Sequence, residues 1–390
     1  MTAIFPAHAI STKTLPLILA IDTSCDDTSA AVTLGNIVLS NVVASQTKIH
    51  APHGGVFPTL AKLAHKENIE PTILKAISLA GIDYSILDAI AVTVGPGLAP
   101  ALEIGINHAK KMANDLNKPL FGINHLEAHV LSALASRNHK NLHIIKYVKE
   151  KKQKISSSHW LGIDKSINQR IKFPVLGLIF SGGHSQFIQV NNIGQYKILG
   201  ETVDDALGEA LDKVGRMLGL GYPAGPVIEQ LAKKGNKNRF SFPLPMTTTH
   251  DFNLSYSGLK TAAHRLIKSL EQKEMTQQLV QDFSASFQEA AFRHLCYKLD
   301  KLLIDQSIPK FSEVWLGGGV ANNIYLRKKI RESLNVHNLK LKTPYEKRLC
   351  SDNAAMIGVT AGLRILNNSI KPIENPDRKP SWNIDQALID

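Results

Sequence analysis

The chain reads as an α/β protein with two lobes built on one plan, and three features predict it. Its 390 residues are too many for one ordinary domain and suit two. Two distant segments repeat one pattern of strand, small-residue turn and strand. Stretches of strand character alternate with helical ones, as in layered α/β architectures.

The elements follow in order. Pro16 to Ser24 is an apolar run that enters a polar turn and leaves through Ala30-Ala31-Val32-Thr33-Leu34. A strand from Ala89 to Val94 meets Gly95-Pro96-Gly97, then a helix of about fifteen residues reaches Asn114. A strand from Pro119 to Ile123 follows. Pro174 to Gly183 repeats the first apolar run, and Gln186-Phe187-Ile188-Gln189-Val190 repeats its return strand. Helices are expected over Ala206–Leu218 and Phe283–Asp305, the latter from the helical spacing of Leu295, Leu299, Leu302 and Leu303. A strand over Glu313–Leu316 leads into Gly317-Gly318-Gly319. The expected division is an N-terminal extension (1–16), a first lobe (17–136), a basic insertion (137–172), a second lobe (173–366) and a C-terminal tail (367–390).

Composition narrows the class. Hydrophobic residues make up 44% and charged residues 20%, which fits a globular protein with a core. No uncharged apolar stretch is long enough for a transmembrane span, so no membrane association is expected. Met1 to Pro16 lacks a charged region followed by an apolar core, so a bacterial cytoplasm is expected; one Lys and no acid leave a mitochondrial location as the alternative. Cys25, Cys296 and Cys350 form no C-x-x-C pair, which argues against a disulfide framework and for unpaired thiols in a reducing compartment. Net charge is +12, and residues 137–172 hold ten Lys or Arg against two acids. Such a segment attracts a polyanion such as tRNA, or is simply a solvated, exposed stretch.

Four glycine-rich turns are expected to follow strands: Gly54-Gly55, Gly95-Pro96-Gly97, Gly182-Gly183 and Gly317-Gly318-Gly319. Glycine lets backbone N–H groups approach phosphates closely, so four such turns favour a nucleotide cleft. None matches a P-loop or a G-x-G-x-x-G turn. His125-Leu126-Glu127-Ala128-His129 puts two histidines on one helical face, a way to offer a metal two imidazoles. Glu127 points roughly 160–200° away, which disfavours it as ligand or base and separates the pattern from H-E-x-x-H. Asp352 is a third-ligand candidate, or an N-cap of the helix that follows it. Asp205, Glu209 and Asp212 share a face whose repulsion a cationic, hydroxyl-rich or metal-bridged ligand would relieve. The helix N-terminus alone accounts for Asp204 and Asp205 but not for Asp212.

At these residues the chain resembles the universal tRNA N6-adenosine threonylcarbamoyltransferases, once described as glycoproteases. The motifs are Ile21 to Thr28, Gly95 to Leu98, His125 to His129, Phe180 to His184, Asp204 to Lys213, Tyr222 to Pro226, Ser255 to Thr261, Gly317 to Val320 and Ser351 to Asn353, in one order from about Leu17 to Leu366. The resemblance implies a two-lobed actin-like, Hsp70-like fold. It implies one divalent metal, iron foremost or zinc, on His125, His129 and Asp352. Substrate contacts are implied for Ile179, Phe180, Ser181, Gly182, Gly183, Asp212, Gly225 and Asn323. The implied donor is threonylcarbamoyl-adenylate, the acceptor the adenosine just 3′ of the anticodon in tRNAs reading codons that begin with A, and the by-product AMP. A paralogous pseudoenzyme subunit and a small ATPase subunit are implied partners.

The chain departs from the family pattern at three places: Thr59 stands where a Glu is usual, Asn124 where the His is doubled, and Ala128 where Gly is expected. No catalytic base is assigned. The competing readings are an ATPase or sugar kinase of the same fold, a metalloprotease, and a non-catalytic tRNA-binding scaffold.

Overall fold

A computed structural model describes residues 15–137, 171–270 and 275–386. The basic insertion and the extension before residue 15 therefore lie almost wholly outside the described residues.

The first sheet holds β1 (Leu17–Asp22), β2 (Asp27–Leu34), β3 (Ile37–Ser45), β4 (Ala89–Gly95), β5 (Leu120–Asn124) and β6 (Ser136–Arg137). Their order is β5-β4-β1-β2-β3-β6, with β1, β2 and β3 antiparallel and β4 and β5 parallel to β1. The second sheet holds β7 (Val175–Phe180), β8 (Ser185–Asn192), β9 (Gln195–Glu201), β10 (Val314–Gly317) and β11 (Leu341–Lys342), ordered β11-β10-β7-β8-β9. Here too the first three strands are antiparallel and the last two run parallel to β7. Strand for strand, β7 stands for β1 and β10 for β4. The hairpin repeat seen in the sequence is thus a repeat of whole sheets, and the architecture is that of the actin-like fold.

β1 and β7 are buried along their whole length. Both faces of each strand are covered, which explains their unbroken apolar runs. Ile18 and Ala20 face one layer while Leu17, Leu19 and Ile21 face another. Likewise Val175 and Ile179 face the first of these layers while Leu176, Leu178 and Phe180 enter a separate core. The shared layer lies between the two sheets. Two helices fill it: α4, below, and the last helix of the chain.

Outside the first sheet pack α1 (Thr47–His50), α2 (Pro58–Ala80) and α3 (Ala99–Leu116); α4 (His125–Leu131) follows β5 directly. With the second sheet come α5 (Leu207–Met217), α6 (Gly225–Ala232), α7 (Ser257–Leu270), α8 (Gln277–Ile304) and α9 (Ile324–Val336). The sequence reading missed α2. Its inward stripe is Ala61, Ala64, His65, Ile69, Thr72, Ile73 and Ala76, and Pro71 interrupts it, so the apolar signal is weak. α8 starts six residues earlier than expected, where the Thr276 side chain caps it by accepting from the Leu279 N–H at 3.3 Å.

The last helix is α10 (Ala354–Leu366). It packs on β1 and β2 of the first sheet. A Cβ at Gly358 would overlap Thr33 and Ala20, and one at Gly362 would overlap the Gly35 carbonyl, so only glycine permits this approach. Residues 367–386 also run along the first lobe. Ile373 N–H donates to the Leu120 carbonyl at 2.8 Å, Lys379 N–H to Val94 at 2.6 Å, and Gly97 N–H to Pro380 at 3.1 Å. Ile384 is fully buried in the layer between the sheets.

Candidate metal centre and ligand cleft

Helix α4 begins where β5 ends, and Asn124 sets the junction. Its Oδ1 accepts from the Leu126 and Glu127 N–H groups at 2.9 and 3.0 Å, while its Nδ2 donates to the Trp382 carbonyl at 3.2 Å. The residue that departs from the family's doubled His is therefore the N-cap of the helix. Glycine again sets the fit: a Cβ at Gly317 would overlap the His129 carbonyl, and one at Gly318 the Phe180 carbonyl. The triple-glycine turn is thereby seated against α4 and the end of β7.

His125 and His129 stand edge to face, ring centroids 4.6 Å apart, and both are buried. Asp352 meets them from the other side: its Oδ1 lies 3.1 Å from His129 Nε2 and 3.5 Å from His125 Nε2. Asp352 is not the N-cap of α10. Asn353 is, accepting from the Met356 N–H at 3.2 Å. The three donor atoms lie within 4.8 Å of one another. Two imidazole nitrogens and one carboxylate oxygen are a donor set that suits zinc or ferrous iron. Asp22 Oδ2 lies 3.8 Å from His125 Nδ1, too far for a hydrogen bond, and both atoms are buried without a hydrogen-bond partner. That places a carboxylate behind a ligand imidazole, as outer-shell partners of metal-bound His usually stand. The residues fit a divalent metal.

Charge is concentrated here. Burial pulls His125 down, but the Asp352 carboxylate and then Asp22 outweigh it and hold the imidazole up to about 9. Burial opposes the ionised form of Asp352, yet the two imidazoles hold it well below the usual carboxylate range. His184, in the β7–β8 turn, is pushed down to about 4 by burial and by the charges of His125 and His129. On the facing loop, burial and then the neighbouring Asp26, Asp352 and Asp22 outweigh a Ser45 hydrogen bond and push Asp27 up to about 7. Tyr222, from the second lobe, is raised by burial and by Asp26 and Cys25 of the β1–β2 turn. Asp22, Asp26, Asp27, His184 and Tyr222 were not singled out from sequence. All five sit inside the quoted motifs; a polar residue at or beside a strand end was the signal for Asp22, Asp26, Asp27 and His184, whereas Tyr222 lies in the loop between α5 and α6.

The residues expected to touch substrate are placed unevenly. Ile179 and Phe180 have fully buried side chains, each in a different core, so only their backbone faces a ligand. Ser181 Oγ accepts from the Gly183 and His184 N–H groups at 3.3 and 3.1 Å, which shapes the turn. Gly182 and Gly183 are exposed, and an added Cβ on either meets no atom within 4 Å. Asp212 Oδ1 accepts from Ala224 and Gly225 N–H at 2.8 and 2.9 Å, bringing two of the expected residues together. Asn323 caps α9, accepting from Leu326 N–H at 3.0 Å and donating to Gln288 Oε1 at 2.8 Å.

Two expectations are corrected. Gly54-Gly55 follows a short helical turn, Ala51–His53, not a strand. The Asp205–Glu209 repulsion needs no ligand: Lys213 Nζ sits 2.7 Å from both carboxylates, and Lys260 pairs with Asp205. Asp204 accepts from Tyr256 N–H at 2.7 Å and from Ser255 and Ser257, anchoring the start of α7.

Comparison with known proteins agrees with this arrangement. A sequence profile described as TsaD, tRNA N6-adenosine threonylcarbamoyltransferase, matches residues 37–146 and 153–359. A protein of that name from Cyanothece sp. is 40% identical over 361 residues, 91% of this chain and 94% of that one. One from Wolbachia sp. subsp. Brugia malayi is 40% identical over 370 residues, 94% of this chain and 98% of its own. Among solved structures, HypF of T. kodakarensis superposes with a TM-score of 0.55 at 15% identity, covering 92% of this chain and 48% of that one, which speaks to the fold alone. On this evidence the chain belongs to the TsaD family of tRNA N6-adenosine threonylcarbamoyltransferases.

Proposed function

We propose that this chain transfers the threonylcarbamoyl group of threonylcarbamoyl-adenylate to the N6 amine of the adenosine 3′ of the anticodon, releasing AMP. The observation that supports it most is the meeting of His125, His129 and Asp352 beside the glycine turns, in a chain of this family. Those three side chains would hold the metal, iron or zinc, which when bound supplies a Lewis acid toward the donor's carbamoyl or phosphate oxygens.

The chain's own residues do the positioning. Gly182 and Gly183 offer bare backbone that a phosphate or threonyl moiety approaches without a side chain in the way. Asp212, steadied by the Ala224 and Gly225 N–H groups, accepts a ribose hydroxyl. Asn323 acts by fixing the N-terminus of α9 and the Gln288 amide beside it. Asp22 sets a negative charge behind the His125 ring, on the side away from Asp352. In the reaction the N6 nitrogen attacks the carbamoyl carbon, a C–N bond forms, the C–O bond to phosphate breaks with its electron pair leaving on AMP, and the N6 nitrogen releases one proton to solvent. No protein nucleophile is required, because the mixed anhydride is already activated.

A companion pseudoenzyme of similar fold, a small ATPase and a cytoplasmic setting complete the proposal. All three cysteines are free, which suits a reducing compartment, and no described helix is long and apolar enough to cross a membrane. The test is nucleoside mass spectrometry of unmodified tRNA incubated with the chain and threonylcarbamoyl-adenylate, with and without those subunits. Appearance of N6-threonylcarbamoyladenosine is expected. ATP turnover indifferent to tRNA, with no modified nucleoside, would move the reading to a kinase or ATPase of the same fold.

A further inference from the structure

Glu127 lies between the two metal-binding histidines and points away from them, and the structure shows where it goes. Its carboxylate is buried, and Arg364 Nη1 lies 2.9 and 3.0 Å from its two oxygens. Tyr196 Oη donates to Oε1 at 2.8 Å and itself accepts from Gly194 N–H at 3.0 Å. The remaining guanidinium N–H groups reach the Ser369 carbonyl, Nε at 2.9 Å. Three elements thus meet on one buried carboxylate: α4, which carries it, α10 through Arg364, and the second sheet through Tyr196 of β9.

We propose that Glu127 and Arg364 are positioning residues for the metal. Their ion pair sets the rotation of α4 against α10, and with it the separation of the two imidazoles from the Asp352 carboxylate. The argument is mechanical. α4 is seven residues long, so little within it resists rolling. A roll of about 20° carries an imidazole nitrogen, about 6 Å from the helix axis, through about 2 Å. Metal–ligand distances tolerate only about 0.2 Å. α10 touches α4 at two points on opposite faces: Asp352, just before its first turn, meets His125 and His129, and Arg364, in its last turn, meets Glu127. Two attachments to one rigid helix remove the roll. Apolar side chains of similar volume hold helices together at least as firmly as a buried ion pair. What the two-pronged contact adds is direction. Because Tyr196 belongs to the second sheet, the same contact ties the orientation of the metal helix to the lobe across the layer.

The inference rests on the metal reading above, and the experiment separates the two. Affinity for Zn2+ is measured by chelator competition on metal-stripped protein, and coordination by the absorption spectrum of Co2+. Glu127→Gln and Arg364→Met are compared with Leu295→Ala, a core change in the second lobe. Affinity is expected to fall about tenfold or more in the first two, with an altered cobalt spectrum, as for lost outer-shell partners. Leu295→Ala should lose thermal stability with its affinity unchanged. Should either variant fail to fold, Tyr196→Phe and Arg364→Lys replace them, with a smaller loss in the same direction. Folded variants that bind metal like the unaltered chain overturn the inference. An unaltered chain that binds no metal overturns the metal reading and the inference with it.

Discussion

Asp352 carries more of the site than any other side chain, since its carboxylate meets both histidines from a segment more than two hundred residues later in the chain. Replacing it with Ala should lower tightly bound metal by about tenfold or more after dialysis, read by elemental analysis; full occupancy with full activity would remove it from the ligand set. Asp27 gives a prediction of a different kind. Its folded value near 7 lies above the ordinary 3.8, so across that window the folded chain keeps a proton that the unfolded chain has released. Stability from this group therefore falls as pH rises from about 4 to 7 and is level beyond. Asp27→Asn should raise the melting temperature at pH 8 and leave it nearly unchanged at pH 4. Loss of melting temperature at pH 8 would show that the carboxylate is satisfied when charged. The histidine pair was legible because a spacing of four on a helix needs no tertiary knowledge. Asp22 and His184 were not, because nothing local tells which polar residue at a strand end faces the cleft.

At the scale of elements, the short helix α4 depends on its cap and on the glycine turn beneath it. Asn124→Ala removes the acceptor for two N–H groups and should cost about 1 kcal/mol by urea denaturation. Gly317→Ala should cost several times that, since its Cβ has no place beside the His129 carbonyl. A Gly317→Ala protein as stable as the original would mean that α4 can shift freely. The strands were legible because β1 and β7 are covered on both faces and so carry unbroken apolar runs. α2 was not, because Ala61, Ala64, His65 and Thr72 dilute the isoleucines of its inward stripe and Pro71 interrupts it, leaving little hydrophobic contrast. The acidic start of α5 invited a ligand reading because its partner Lys260 lies fifty-five residues away, and long-range pairing is invisible to spacing.

For the molecule as a whole, the duplication was legible and the return of the chain was not. The hairpin repeat reports the matched sheets, but no sequence period announces that α10 rejoins the first one. The basic insertion supplies the prediction at this scale. Deleting residues 138–171 should weaken tRNA binding and flatten its dependence on salt. An unchanged salt slope would make the segment a bystander.

That late return of α10 has a bearing on how the protein comes into being. On the ribosome the first sheet emerges early, yet one face of β1 and β2 stays uncovered until residues 354–366 have been made. Domains that close on themselves fold as they appear; this first lobe has to wait for nearly the whole chain. Asp352 arrives just ahead of the same helix, so the cluster of His125, His129 and Asp352 and the closing of the lobe are completed in one event. A nascent chain stalled before that point would present an apolar sheet face and two histidines without their carboxylate, a form for which chaperones have affinity and metal does not.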